Sequence, residues 1–157
     1  MNKKAGEKKM KKLFIMICAL TISASAMATD KSFNVSLKLF KPITITKVQD
    51  LLFPDTTLTG SAINLIVLPA DSGAANFTAQ GGKSRNITKS VVESSINMAA
   101  AGVVGNIAVD TFVLSGPTAF DGSGNITGIK VGATAHILAA SEDGNYTGTA
   151  TLRVVYQ

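Results

Sequence analysis

The stretch GNYTGTATLRVVYQ, residues 144–157, has the cleanest two-residue period in the chain. Successive side chains of an extended strand point to opposite faces of a sheet. Threonine and arginine occupy one face here, with Val155 as the single apolar exception on it. The other face carries Tyr146, Gly148, Ala150, Leu152, Val154 and Tyr156. The period therefore predicts one long β-strand with a buried side and a solvated side.

A second alternating stretch lies near the other end of the chain, at residues 33–39. Its shared apolar face comprises Phe33, Val35, Leu37 and Leu39. Ile43 and Ile45 continue that face beyond Lys41, and Pro42 marks an edge position or a break, because proline cannot donate a ladder hydrogen bond. Two interpretations stay open. Residues 33–39 are either the first strand of the domain's own sheet or a donor segment, at residues 29–39, that completes a neighbouring subunit.

Between these stretches, short apolar alternations are closed by glycine, proline, aspartate and serine. The predicted strands cover residues 48–53, 62–68, 75–79, 107–114 and 131–139, with weaker signals around residues 87–91 and 96–101. The apolar run at residues 96–101 is compatible with either a strand or a helical turn. No segment after residue 28 keeps a helical period for three turns. This pattern predicts an all-β, immunoglobulin-like antiparallel β-sandwich that occupies residues 29–157 as a single domain.

Residues 1–28 have the pattern of a secretory signal peptide. Six lysines precede an apolar run at residues 13–22, and ten residues are too few to span a bilayer. The run is followed by Ala26-Met27-Ala28, a small-x-small cleavage site. We therefore expect export to the periplasm or cell surface, with a mature chain that begins at Thr29.

The excess positive charge and the single cysteine both belong to the predicted signal peptide. The formal charge of +5 comes from the signal segment, since residues 29–157 contain nine basic and nine acidic residues. No charge excess remains that would favour nucleic acid as a partner. The single cysteine, Cys18, also lies in the signal segment, so the predicted mature chain has no disulfide.

Residues with catalytic or metal-binding chemistry are scarce. His136 is the only histidine, and no nucleophile elbow accompanies the serines. A carboxylate site for calcium is the only metal site available, and residues 121–125 are better interpreted as a turn. The sequence therefore predicts no enzyme, no cofactor and no metal.

The C-terminal stretch resembles the last strand of bacterial chaperone–usher pilins. Those pilins have a penultimate tyrosine and a glycine fourteenth from the end, and Tyr156 and Gly144 occupy these positions. Three further segments, Leu51-Leu52-Phe53, Ala75-Asn76-Phe77-Thr78 and Val131-Gly132-Ala133, resemble a family of secreted pilin-like bacterial domains. Many pilins carry one disulfide, and this chain departs from them there.

The resemblance implies a structural subunit of an adhesive surface fibre, assembled by donor-strand complementation. Pilin sandwiches lack one strand, and a periplasmic chaperone fills the groove until a neighbouring subunit's N-terminal segment replaces it. The implied donor residues are Phe33, Val35, Leu37 and Leu39. The implied groove and chaperone-binding residues are Gly144, Tyr146, Gly148, Ala150, Leu152, Val154, Tyr156 and Gln157.

The implied partners are other copies of the chain or other pilins, the chaperone, an outer-membrane usher and a host receptor. The alternative function is a self-complete secreted sandwich that acts as a monomeric adhesin or ligand-binding module. Its binding loops would be residues 71–73, 81–83 and 121–125.

Overall fold

A computed structural model describes residues 29–157 of the chain. The chain divides into two compact units, Met1–Leu37 and Lys38–Gln157. The described part of the first unit, residues 29–37, contains no strand or helix and is exposed. The predicted signal peptide falls on residues 1–28 and lies outside the described residues.

The second unit is built from antiparallel strands in two sheets. Its eight strands are β1 (Thr44–Gln49), β2 (Ile63–Val67), β3 (Ala75–Gln80), β4 (Ile87–Val91), β5 (Ser95–Ala99), β6 (Asn106–Ser115), β7 (Asn125–Ile137) and β8 (Leu152–Tyr156). The larger sheet has the order β1-β3-β7-β6-β5, with β2 also paired to β7, and the smaller sheet is β4-β8. Residues 29–157 contain no helix, and so none long and apolar enough to cross a membrane. The predicted all-β antiparallel sandwich is confirmed.

Strand β7 is the centre of the larger sheet. It pairs with β3 and then β2 along one edge and with β6 along the other. Its second half alternates as the sequence predicts, with Val131, Ala133, Ala135 and Ile137 buried. Gly132 lies between them, where an added Cβ would collide with the carbonyl oxygen of Val67. Close backbone packing therefore requires glycine at that position.

A bulge extends β7 beyond the predicted range. Ile126 and Ile129 are both buried although they are three residues apart, which a regular strand does not allow. The register against β3 shifts between Phe77 and Ala79, and Gly128 has a positive φ of 74° at this point. The extra residue turns both isoleucines to the same face, as β-bulges do.

The core consists of two clusters. The first lies between the two sheets and comprises Ala79, Ile87, Phe120, Ile126, Ile129 and Val154. The second lies on the larger sheet and comprises Ile107, Val109, Ala133, Ala135 and Ile137. Besides strand residues of the larger sheet, Leu51, Phe53 and Tyr146 pack on the second cluster from segments that form no strand. The smaller sheet thus covers one half of the sandwich, and irregular chain covers the other.

The structure corrects the position of one predicted strand and decides between the two interpretations of residues 96–101. The strand expected at residues 48–53 lies at Thr44–Gln49, and residues 50–59 form no strand. Leu51 and Phe53 are apolar because they pack on the second cluster, and the two-residue period cannot distinguish that role from a strand. The weak signal at residues 96–101 is strand β5.

Replacing Ile129 by alanine tests the assignment of the first cluster. Ile129 has no exposed surface, so Ile129→Ala should lower the free energy of unfolding by about 2–5 kcal/mol in urea titration. The matched control is Ile66→Ala, since Ile66 lies on β2 with 60% of its surface exposed, and it should change stability by less than about 0.5 kcal/mol. Equal losses for the two variants would contradict the assignment.

Candidate functional site

The C-terminal segment forms a shorter strand than its period predicts. Only Leu152–Tyr156 pairs regularly, with β4, while residues 144–151 form a single bridge between Thr147 and Ala99. The prediction of one continuous strand is therefore wrong. The reason is geometric: the segment passes from β5 in the larger sheet to β4 in the smaller one, and no single ladder follows both.

The predicted alternation of faces holds within β8. Val154 is buried in the first cluster, and Leu152 and Tyr156 pack against it. Arg153 and Val155 face outward and are exposed. The sequence pattern thus identified the buried face of this strand correctly.

One edge of β8 has no partner strand. The amide of Val92 donates to the Thr151 carbonyl at 2.9 Å, and the amide of Gln157 donates to the Asn86 carbonyl at 3.2 Å. Hydrogen-bonded and non-hydrogen-bonded pairs alternate along an antiparallel ladder. The N–H and C=O groups of Leu152, Val154 and Tyr156 therefore point away from β4. Within residues 29–157 they make no backbone hydrogen bond, so β8 has an open edge.

A groove of about 550 Å³ lies beside this segment. Residues 145–152 form one wall, and Lys47 together with residues 50–53 forms the opposite wall. The larger sheet supplies apolar side chains to the groove: Ala75, Phe77, Ile96, Met98, Val109, Phe112 and Val131. Lys47 and Asp50 are the two charged residues among the described lining, and their side chains form an ion pair at 2.6 Å.

The predicted groove residues fall into three groups. Tyr146, Gly148, Ala150 and Leu152 line the groove. Val154 and Tyr156 belong to the first core cluster and its periphery. Gly144 and Gln157 lie apart from the described groove lining.

Gly144 and Gln157 contact the chain itself. An added Cβ at Gly144 would lie 3.0 Å from Ala100 Cβ and Val103 Cγ2, so the close approach there is to the β5–β6 loop. The side-chain amide of Gln157 donates to the Thr88 hydroxyl at 3.2 Å.

A profile of the family described as "Domain of unknown function (DUF4402)" matches residues 52–156, which is two thirds of the chain. The chain belongs to this family. The DUF4402 match includes β2 to β8 and the whole wall formed by residues 145–152, and it begins after residues 33–39 and β1. No curated protein and no solved structure matches the chain.

The donor residues predicted from the sequence precede the DUF4402 match. Phe33, Val35, Leu37 and Leu39 are 78–84% exposed, and residues 29–43 form no strand. The alternation at residues 33–39 thus has no strand partner among residues 29–157. Four large apolar side chains remain in contact with solvent along one stripe.

Tyr156 connects the last strand to residues 40–41, which precede β1 and the DUF4402 match. Its hydroxyl donates to the Lys41 carbonyl at 2.6 Å and accepts from the Gly82 amide at 2.6 Å. Its ring stacks on Phe40 at 5.2 Å and lies 5.9 Å from Phe120. The chain at residues 40–41 is therefore fixed at the Tyr156 end of β8. The sequence pattern singled out Tyr156 but predicted none of these contacts.

Glu93 holds the point where the C-terminal segment changes partner. Its carboxylate accepts hydrogen bonds from the amide of Thr151 at 2.7 Å and from the Thr151 hydroxyl at 2.9 Å. These bonds, the backbone one first, hold the pKa of Glu93 below its ordinary value of 4.5. No local pattern could reveal this role, because the two residues are 58 positions apart.

His136 has a structural environment on the outer face of the larger sheet. Its ring nitrogens lie 2.8 Å from Asn64 Oδ1 and 2.9 Å from Asp110 Oδ1, which connects β2, β7 and β6. The hydrogen bonds from His136 and from the Thr111 hydroxyl lower the pKa of Asp110. Among residues 29–157 no group of three or more histidine, cysteine, aspartate or glutamate side chains could hold a metal ion.

Acid titration tests the role of Glu93. Because its pKa is lower in the folded chain, the carboxylate stabilises the fold above its ordinary pKa, and that contribution is lost as the pH falls through the folded value. The urea midpoint of the wild type should therefore fall more steeply than that of Glu93→Gln between about pH 5 and pH 3.

Glu142→Gln is the control, since within the described chain the Glu142 carboxylate makes no hydrogen bond. It should follow the wild-type curve. Wild-type and Glu93→Gln curves of equal slope would show that the bonds to Thr151 do not contribute to stability.

Proposed function

We propose that this protein is a structural subunit of a surface fibre that assembles by strand donation. Residues 33–39 of one copy enter the groove of the next copy and add a strand to the open edge of β8. The single observation that carries the proposal is that open edge, formed by Leu152, Val154 and Tyr156, beside an apolar groove.

Strand addition satisfies both needs of this site at once. A new strand gives the unpaired N–H and C=O groups of β8 their hydrogen bonds, which buried backbone groups require. Its alternate side chains cover apolar residues of the groove, such as Phe77 and Phe112. Main-chain bonds then supply affinity, and side-chain pockets supply specificity, as in other cases of β-augmentation.

The donor segment is long enough to cover the open edge of β8. An extended strand rises about 3.4 Å per residue, so residues 33–39 span about 20 Å. By the same rise, the open edge at Leu152–Tyr156 is about 14 Å long. The donor can therefore pair with the whole edge and continue along the adjoining groove wall formed by residues 145–151.

The energies also favour insertion. Burying Phe33, Val35, Leu37 and Leu39 would contribute about 1.5–3 kcal/mol each, or about 6–12 kcal/mol in total before costs. Ordering the segment and joining two molecules offset much of this. The main-chain hydrogen bonds of a new ladder add to what remains.

The proposal extends to the partners and route of a pilin-like subunit. After export by the predicted signal peptide, a periplasmic chaperone lends a strand to the groove and an outer-membrane usher directs its exchange for the next subunit's donor. The fibre is adhesive and binds a host receptor. The chaperone, the usher and the receptor are proposed from the resemblance to pilins. The groove is the site at which the strand of the chaperone would bind.

Leu37→Lys tests the donor role without shortening the chain. Inserting this variant would bury an unpaired ammonium, which is costly, so the variant should stay monomeric while the wild type polymerises. Size-exclusion chromatography with light scattering and electron microscopy measures both outcomes. Circular dichroism should be unchanged, since Leu37 lies outside the strands.

Ser36→Lys is the matched control. It places the same charge one residue away, on the opposite side of the donor, where it remains in solvent and polymerisation should continue. If the wild type stays monomeric at high concentration and Leu37→Lys lowers its thermal midpoint, the self-complete surface module is the correct function instead.

A further inference from the structure

Lys47 occupies an unusual position at the wall of the groove. It lies directly across from Phe77 in the β1–β3 ladder, and Ile45 lies across from Ala79. Residues directly opposite each other point to the same face of a sheet. Since Ala79 is buried and Phe77 packs against the first cluster, the Lys47 side chain leaves β1 on the inner side. Its ammonium reaches the rim of the groove, where 58% of the side chain is exposed.

β1 therefore carries a charge on its inner face next to an unpaired edge. Among the described strands it pairs only with β3, and its register shifts between Lys47 and Gln49, which leaves Val48 as an extra residue. Inward-pointing charges and bulges are among the features that keep exposed edges from pairing with unsuitable strands. Both occur here within two residues.

The donor segment has charges in a corresponding arrangement. Side chains of alternate residues share a face, so the stripe from Phe33 to Leu39 continues to Lys31 at one end and Lys41 at the other. A donor displaced by two residues keeps its apolar residues facing inward. However, the displaced donor moves one apolar side chain out of the groove and moves either Lys31 or Lys41 into it.

We propose that Lys47 is a specificity-determining residue that fixes the register of the donor strand, an inference that rests on the proposed function. Asp50 already pairs with the Lys47 ammonium at 2.6 Å. In a displaced register, the ammonium of Lys31 or Lys41 of the donor would enter the groove. The Asp50 carboxylate is already paired with Lys47, so the like charge of Lys47 opposes insertion of the donor lysine. The register with Phe33, Val35, Leu37 and Leu39 in the groove is free of that repulsion.

Disulfide trapping in the full chain measures the register. Residues 29–157 contain no native cysteine, and Cys18 of the signal segment is replaced by serine, so cysteines can be introduced singly on each side. Ala150→Cys, in the groove wall, is combined with Val35→Cys, Leu37→Cys or Leu39→Cys in the same chain. Cross-strand neighbours form a disulfide only when their Cα atoms lie within about 7 Å, so the pair that links copies into a covalent ladder reports the register.

In the wild-type background one of the three pairs should dominate by about tenfold on non-reducing gels. Lys47→Val should reduce that preference about fivefold, because one like-charge contact at about 4 Å is removed. Lys47→Glu should reduce it further, since it attracts the donor lysines. Lys47→Arg keeps the charge and should behave as wild type. Lys47→Thr serves as a second neutral variant if Lys47→Val does not fold.

The outcomes separate this inference from the proposed function. If no pair links two copies and the wild type is monomeric, strand donation itself fails. If one pair dominates and the neutral variants keep the same ratio, strand donation stands and the role of Lys47 is overturned. Equal linking of all three pairs in the wild-type background also overturns it.

Discussion

The open edge of β8 is the constraint on which the rest of this structure depends. The side chains of Leu152, Val154 and Tyr156 are needed in the core, so the strand cannot move away from the sandwich. Their backbone groups point away from β4, and within residues 29–157 no strand pairs with them on that side. A polar backbone group that loses water without gaining a partner costs free energy, so this edge must stay hydrated or receive a strand.

The division of the core explains why the groove lies where it does. The smaller sheet has two strands, and it covers only the half of the larger sheet that holds the first cluster. Over the second cluster, Leu51, Phe53 and Tyr146 pack from irregular segments and form parts of both groove walls. The DUF4402 match includes Phe53 and Tyr146 together with β8, and it begins one residue after Leu51. The family region thus contains the open edge of β8 and most of the groove lining, and the exposed apolar residues at 33–39 precede it in the sequence.

Sequence patterning predicted the features that depend on one strand at a time. The buried faces of β2, β3, β8 and the second half of β7 follow from the two-residue period, because that period reports which side of a strand faces the core. It does not report which strand lies alongside. The C-terminal strand was consequently predicted too long, and β7 too short, because the bulge at Gly128 changes the phase of the period.

The parts of the site that the sequence did not predict are contacts between distant residues. Glu93 with Thr151 and Tyr156 with Lys41 depend on how the two ends of the chain meet. Lys47 and Asp50 are close in sequence, but the face of β1 from which Lys47 projects depends on the register of β1 against β3. Such roles follow from packing, and no local residue pattern encodes them.

Amide hydrogen exchange at β8 tests the central claim most directly. The Leu37→Lys chain is measured with and without an added peptide of residues 29–40. Strand donation predicts that exchange at Leu152, Val154 and Tyr156 slows by about tenfold or more with the peptide. Arg153 and Val155, already bonded to β4, serve as internal references. Unchanged exchange at all three edge amides, at peptide concentrations that saturate any binding, would contradict the account.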